Sequence, residues 1–151
     1  MKKTLILCTG NSCRSQMAEG LISNAFTEMQ VYSAGTKPET VNPFAVKAMT
    51  EIGLDISNNI SNHADEYAHI DFDYVFTVCD NAKEICPIYP KAKQLIHHSF
   101  TDPADATGTE QEQLKVYVGV RDELAAYFTS FLNNKNDLVK IPASCFLIAN
   151  K

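Results

Sequence analysis

Thr4-Leu5-Ile6-Leu7-Cys8-Thr9-Gly10-Asn11-Ser12-Cys13-Arg14-Ser15 runs from a short apolar stretch through a glycine-containing break into a helical pattern. Thr4–Cys8 reads as a buried strand. From Arg14 to about Met29 the spacing predicts a helix, with Met17, Ala18, Leu21, Ile22 and Ala25 on one face. A loop wound between Cys8 and Arg14 can turn its backbone N–H groups onto one tetrahedral anion. The helix start adds further N–H groups and a positive dipole end. Arg14 adds a planar fork suited to two anion oxygens. The same field should hold Cys8 as a thiolate, and Ser15 can donate a hydrogen bond to it. The spacing Cys-x5-Arg alone would also suit two buried thiols. The order of strand, glycine loop and helix favours the cradle.

Working outward, Gln30–Ala34 is a second strand closed by Gly35, and Pro43–Ile52 a helix ended by Gly53. Asp73–Cys79 is rich in β-branched and aromatic residues and reads as a third strand, with Gln94–His97 a fourth. Gln111–Leu132 is a long helical stretch, and Ala104–Gln113 a polar loop before it. Strands separated by helices imply right-handed crossovers and a parallel sheet covered on both faces. The expected fold is α/β, a three-layer sandwich around a central four-stranded parallel sheet. Residues 1–132 form its domain, and residues 133–151 are a C-terminal extension docked on it. Cys8 and Cys79 end two strands, so both lie on the edge of the sheet where such folds bind ligands.

The chain has 151 residues, 45% hydrophobic and 21% charged, which suits one globular domain and excludes wholesale disorder or coiled coil. A net charge of −5 argues against nucleic-acid binding, so an anion must be held by a local device. No run approaches the roughly 18–20 apolar residues of a membrane span. Leu5–Leu7 is far too short for a signal-peptide core, and a cytoplasmic location is expected. Five cysteines (Cys8, Cys13, Cys79, Cys86 and Cys145) show no disulfide-framework spacing. In a reducing compartment such thiols are more often catalytic, redox-active or metal-binding than structural. Cys79 and Cys86 lie seven positions apart. On a helix that is about 10 Å, beyond the roughly 7 Å a disulfide tolerates, so pairing them requires the segment to buckle. Two ordinary buried cysteines are the alternative. A zinc site from Cys79, Cys86 and His97 or His98 has the wrong thiol spacing. His63 and His69 complete the histidines, which read as surface or sheet-end residues.

Cys8-Thr9-Gly10-Asn11-Ser12-Cys13-Arg14-Ser15 resembles the anion loop of the low-molecular-weight protein tyrosine phosphatase superfamily. With Gln16-Met17-Ala18-Glu19-Gly20 it is similar to the arsenate reductases on that fold. The resemblance spans roughly Lys3 to Leu132. It implies oxyanion binding by Thr9, Gly10, Asn11, Ser12, Cys13, Arg14 and Ser15, with Cys8 as nucleophile and Asp102 of Asp102-Pro103 as general acid. It also implies a relay in which Cys79 attacks Cys8 and Cys86 then attacks Cys79, leaving a redox-active Cys79–Cys86 disulfide and no tightly bound cofactor. The implied substrate is arsenate, with phosphate or sulfate as mimics. The implied reductant is thioredoxin, though the loop Ala104–Gln113 and the extension after Leu132 depart from the compact relatives and could turn that choice toward glutaredoxin; charge and hydropathy point to no nucleic-acid or membrane partner. Asn11, Glu19 and Ser33 resemble a potassium site of some relatives, but Asn62 stands near its further acidic ligand, and no metal is expected. The alternative function is a tyrosine phosphatase using a Cys8 phosphoenzyme. Against it, Asp102-Pro103 runs into Ala104-Asp105-Ala106, without the rings that would clamp a phenyl group. Cys145 matches nothing in the family.

Overall fold

The computed structural model describes residues 2–79 and 92–134. Strands β1 (Lys2–Cys8), β2 (Met29–Gly35), β3 (Tyr74–Thr77) and β4 (Gln94–His97) form one parallel sheet in the order β2-β1-β3-β4. The chain lays its second strand on one side of β1 and its third on the other. That reversal makes the carboxyl end of β1 a topological switch point, where open parallel sheets leave a crevice for ligands. Cys8 is the last residue of β1 and pairs in register with Gly35, the last of β2.

Strand β1 is buried on both faces, so its alternation is hidden inside an unbroken apolar run. Ile6 and Cys8 face one layer, and Leu5 and Leu7 the other. The first layer holds α1 (Arg14–Ala25), α2 (Pro43–Thr50) and α3 (Glu110–Asn133), which pack on one another as well as on the sheet. Phe76 of β3 meets Phe128 and Phe131 of α3 edge-on, at centroid distances of 4.9 and 5.2 Å. The buried Arg121 ties α3 to α2 by donating to Ala48 O at 2.7 Å and facing Glu51 at 3.5 Å. Across the sheet, a short 3-10 helix (Ala64–Tyr67) and Phe72 cover Leu5, Leu7 and Val75, with Tyr32 packed edge-on against Tyr67 and Phe72. The expected three layers around four parallel strands are present. Among the described residues no helix is long and apolar enough to cross a membrane.

Several boundaries differ from the sequence reading. Strand β3 covers Tyr74–Thr77 rather than Asp73–Cys79, so Cys79 lies two residues past the strand end instead of closing it. Helix α1 stops at Ala25 rather than near Met29, because Met29 is already the first residue of β2 and its sulfur accepts from Thr4 Oγ1 at 3.0 Å. The polar loop is shorter than Ala104–Gln113. Pro103–Asp105 forms a 3-10 turn, and α3 begins at Glu110 behind a capping box in which Thr109 and Glu112 satisfy each other's backbone. The redox candidate Cys86, its neighbour Pro87, Cys145 and the expected docking of residues 135–151 lie outside the described residues.

Gly35 makes the close approach of β2 to the loop after β1 feasible. A Cβ there would stand 2.4 Å from Thr9 O and 2.9 Å from Asn11 N, both backbone atoms that cannot swing aside. Gly35→Ala should therefore lower stability by about 1–3 kcal/mol in urea unfolding, as overpacking does. It should also weaken binding of inorganic phosphate, measured by calorimetry. Unchanged values for both would remove this account of the loop.

Candidate active site

The loop from Thr9 to Cys13 is turned inside out relative to an ordinary turn. The carbonyls of Thr9, Gly10, Asn11 and Ser12 accept from Lys37 N (2.9 Å), Glu39 N (2.8 Å), Ser61 Oγ (2.6 Å) and Asn42 N (3.1 Å). In a trans peptide the carbonyl points away from the next residue's N–H. With these carbonyls drawn outward, the N–H groups of Gly10, Asn11, Ser12 and Cys13 face the inside of the loop. Asn11 supplies the bend, with a φ of 48° that asparagine tolerates better than most residues. Its side chain is a second staple. Oδ1 accepts from Asn62 N at 2.8 Å, and Nδ2 donates to Ser15 Oγ at 2.8 Å. Ser15 Oγ accepts from Asn11 and lies 2.9 Å from Cys8 Sγ, to which it can donate its own proton. Cys8 therefore shares a hydrogen bond with Ser15 at the base of the loop.

Arg14, the first residue of α1, is buried at 3% exposure and anchored on the ends of the neighbouring strands. Its Nη1 donates to Phe100 O at 3.1 Å and to Val78 O at 3.5 Å. Its Nη2 lies 3.4 Å from Asp102 Oδ2. Asp102 caps the Pro103–Asp105 turn, its Oδ1 accepting from Ala104 N at 3.0 Å, so the carboxylate is oriented by its own backbone. Cys8, Arg14 and Asp102 all line one pocket of about 160 Å³, a volume suited to a small oxyanion. Glu39 and Asn42 also line it, and the sequence reading named neither. Asn42 was legible as the helix cap before Pro43, and its side chain accepts from Phe44 N at 2.8 Å. Nothing local in the sequence places either residue at the pocket.

Cys79 is buried at 0% exposure. This second candidate thiol directly follows Val78, whose carbonyl the Arg14 guanidinium holds. Cys13, also in the pocket wall, is a different kind of thiol. Burial pushes it up to about 12, against its side-chain hydrogen bonds with Ser12 and Tyr117, which pull it down.

Residues 3–135 match the family model described as low molecular weight phosphotyrosine protein phosphatase. The chain belongs to this family. Within it, the chain is 47% identical over 134 residues to an arsenate reductase of Halalkalibacterium halodurans, covering 87% of this chain and 96% of the relative. A solved structure of an arsenate reductase in the phosphate binding state superposes with a TM-score of 0.73 at 28% identity, over 87% of this chain and 97% of that one. Another, in the oxidized state, gives 0.72 at 27% identity, over 86% and 95%.

Two groups of side chains bear on metal binding. Asn11, Glu19 and Ser33 are close together but already bonded among protein groups. Asn11 Oδ1 takes both Asn62 N and Gln16 Nε2, while Glu19 takes Asn59 Nδ2 at 3.3 Å and a hydrogen bond from Ser33. Burial also raises the Glu19 carboxyl above its usual range, which disfavours the charge a cation needs. The cluster does not fit potassium. At the zinc candidates, both ring nitrogens of His97 are engaged, Nδ1 with Thr77 Oγ1 at 2.6 Å and Nε2 with Ser99 Oγ at 3.0 Å.

Proposed function

We propose that the chain reduces arsenate to arsenite through Cys8, Cys79 and Cys86, and that thioredoxin restores the dithiol. The observation that carries the reading is Arg14 bonded to Val78 O, the residue directly before the buried thiol of Cys79. A phosphatase has no use for a thiol there. The relatives named arsenate reductase support the same choice.

Arsenate is held by the loop N–H groups and the Arg14 fork, with Cys8 Sγ behind the arsenic. Attack by the Cys8 thiolate forms an S–As bond as one oxygen leaves, protonated by Asp102. Cys79 then attacks Cys8 Sγ. An S–S bond forms, the electron pair of the S–As bond stays on arsenic, and arsenic(V) leaves as arsenite. Cys86 displaces Cys8 from Cys79, leaving a redox-active Cys79–Cys86 disulfide. A dithiol of the thioredoxin class, or glutaredoxin with a glutathione pool, reduces it by the same exchange. These steps suit a cytoplasmic setting, where dithiol reductants keep the relay poised.

The test is arsenate-dependent NADPH oxidation in the presence of thioredoxin and its reductase. Turnover above the no-arsenate control supports the reading, and its absence with both thioredoxin and glutaredoxin sinks it. The same cradle fits phosphate, so slow hydrolysis of an aryl phosphate is expected beside it. Asp102→Asn keeps the cap to Ala104 but loses the proton. It should lower the single-turnover rate of arsenite release by about 10²–10⁴-fold, the usual worth of a general acid. A rate within a factor of a few of the unsubstituted chain would reassign the acid.

A further inference from the structure

The anion pocket carries a carboxylate that neither the cradle nor the relay uses. Segment 37–40 is stapled along the anion loop. Lys37 N donates to Thr9 O at 2.9 Å, Glu39 N to Gly10 O at 2.8 Å, and Ser12 Oγ to Thr40 O at 2.8 Å. Pro38, between the first two staples, restricts the chain further. The exposed side chain of Glu39 thus stands on a backbone fixed against the cradle. Gly10 leaves the room that side chain occupies: a Cβ on Gly10 would lie 3.3 Å from Glu39 Cδ and 3.3 Å from Oε2. The carboxylate therefore lies over Gly10, whose N–H faces the inside of the loop, and Glu39 lines the pocket with Arg14 and Asp102. Asp102 turns its two oxygens to Ala104 N and Arg14 Nη2. Among the described residues no cation stands within ion-pair distance of Glu39. A pocket built from N–H donors thus also holds an acceptor at its rim.

We infer that Glu39 is a specificity residue that accepts a hydrogen bond from the proton of the bound oxyanion, so that the pocket takes arsenate and phosphate and rejects sulfate. This deepens the reading above and rests on its anion cradle, not on the cysteine relay. The three anions share one tetrahedral shape. Around neutral pH arsenate and phosphate keep at least one proton, and sulfate keeps none. The loop N–H groups and the Arg14 fork satisfy bare oxygens of all three, so they cannot tell them apart. A carboxylate can. It receives a charge-assisted O–H···O bond from a proton-bearing oxygen and meets a bare oxygen with charge repulsion. Sulfate, a mimic by family resemblance, becomes the poorest of the three ligands.

The test is calorimetric binding of inorganic phosphate and of sulfate to the unsubstituted protein and to Glu39→Gln, at fixed ionic strength in mildly alkaline buffer. There both anions carry two charges and differ only by the phosphate proton, so a general field acts on them alike. The unsubstituted protein should prefer phosphate by about tenfold or more, the worth of one hydrogen bond to a charged group. Glu39→Gln should narrow that preference to within about threefold, chiefly by tightening sulfate as the repulsion goes. Position 39 is exposed, so the variant should fold as the unsubstituted protein does. An unchanged preference in Glu39→Gln overturns the proposal. Equal tightening of both anions overturns it as well, because Glu39 would then supply only a field. Equal affinities in the unsubstituted protein do the same. If neither anion binds, the cradle itself is wrong and the proposal falls with it. If the expected preference is found but arsenate is not reduced, the relay reading fails and the role of Glu39 stands.

Discussion

Cys8→Ser should abolish both arsenate reduction and aryl phosphate hydrolysis, whereas Cys79→Ser and Cys86→Ser should abolish only the reduction. Serine at position 8 keeps the hydrogen bond to Ser15 but not the acidity or polarisability of sulfur. The donors around it cannot ionise an alcohol at neutral pH. Loss of a nucleophile that works as one unit with its surroundings costs about 10⁴-fold or more. The other two thiols stand outside the bond-making to phosphate, so hydrolysis in their variants should stay within a factor of a few. Without Cys79 the S–As bond has no resolving partner. Without Cys86, one turnover should leave a Cys8–Cys79 disulfide that mass spectrometry can detect. The readouts are steady-state arsenate turnover, release of an aryl alcohol, and that trapped disulfide. Normal arsenate turnover in Cys79→Ser would remove the relay while leaving the anion loop in place.

Arg14→Lys should be nearly as damaging although the charge is kept. Lysine offers a point charge where arginine offers a planar fork. The guanidinium also bridges the sheet, bonding Val78 O after β3 and Phe100 O beyond β4 while facing Asp102. An ammonium cannot hold those three and two anion oxygens as well. A fall in kcat/KM of about 10²–10³-fold is expected for phosphate ester hydrolysis, the range seen when one fixed oxyanion donor is removed. Arsenate turnover should fall further, because Val78 carries Cys79 and loses its anchor. A drop confined to KM, equal for both substrates, would mean that Arg14 attracts the anion without organising the site.

The cradle was legible because its parts are contiguous. A strand end, a glycine, an arginine and a helix start stand within eight residues, from Cys8 to Ser15. The four strands were legible from short β-branched and apolar runs, and Gln94–His97 was placed to the residue. Helix α1 was read too long because no glycine or proline follows Ala25, and Met29 continues the apolar spacing although it belongs to the sheet. Asp102 was found by resemblance, since an isolated Asp-Pro reads equally well as a turn. Glu39, Asn42 and Tyr117 were missed for a common reason. Glu39 and Asn42 reach the pocket, and Tyr117 reaches Cys13 in its wall, from segments whose local pattern says only loop, helix cap or helix face. Tyr117 in particular reads as one more apolar position of α3, and its hydroxyl meets Cys13 only when α3 lies across α2. Its contacts with Cys13 and with Phe44 span 104 and 73 positions of chain.

The outward-drawn carbonyls of the anion loop carry a consequence for biosynthesis. Their partners at Lys37, Glu39, Asn42 and Ser61 are all made after the loop itself, and Asp102 later still. A nascent chain that has emerged only as far as α1 carries Cys8 as an ordinary thiol, since nothing yet pulls the peptide planes over. Reactivity is conferred at the end of folding, by ring closures that cost entropy until the sheet is complete. An unfinished or partly melted molecule is therefore chemically quiet at this position.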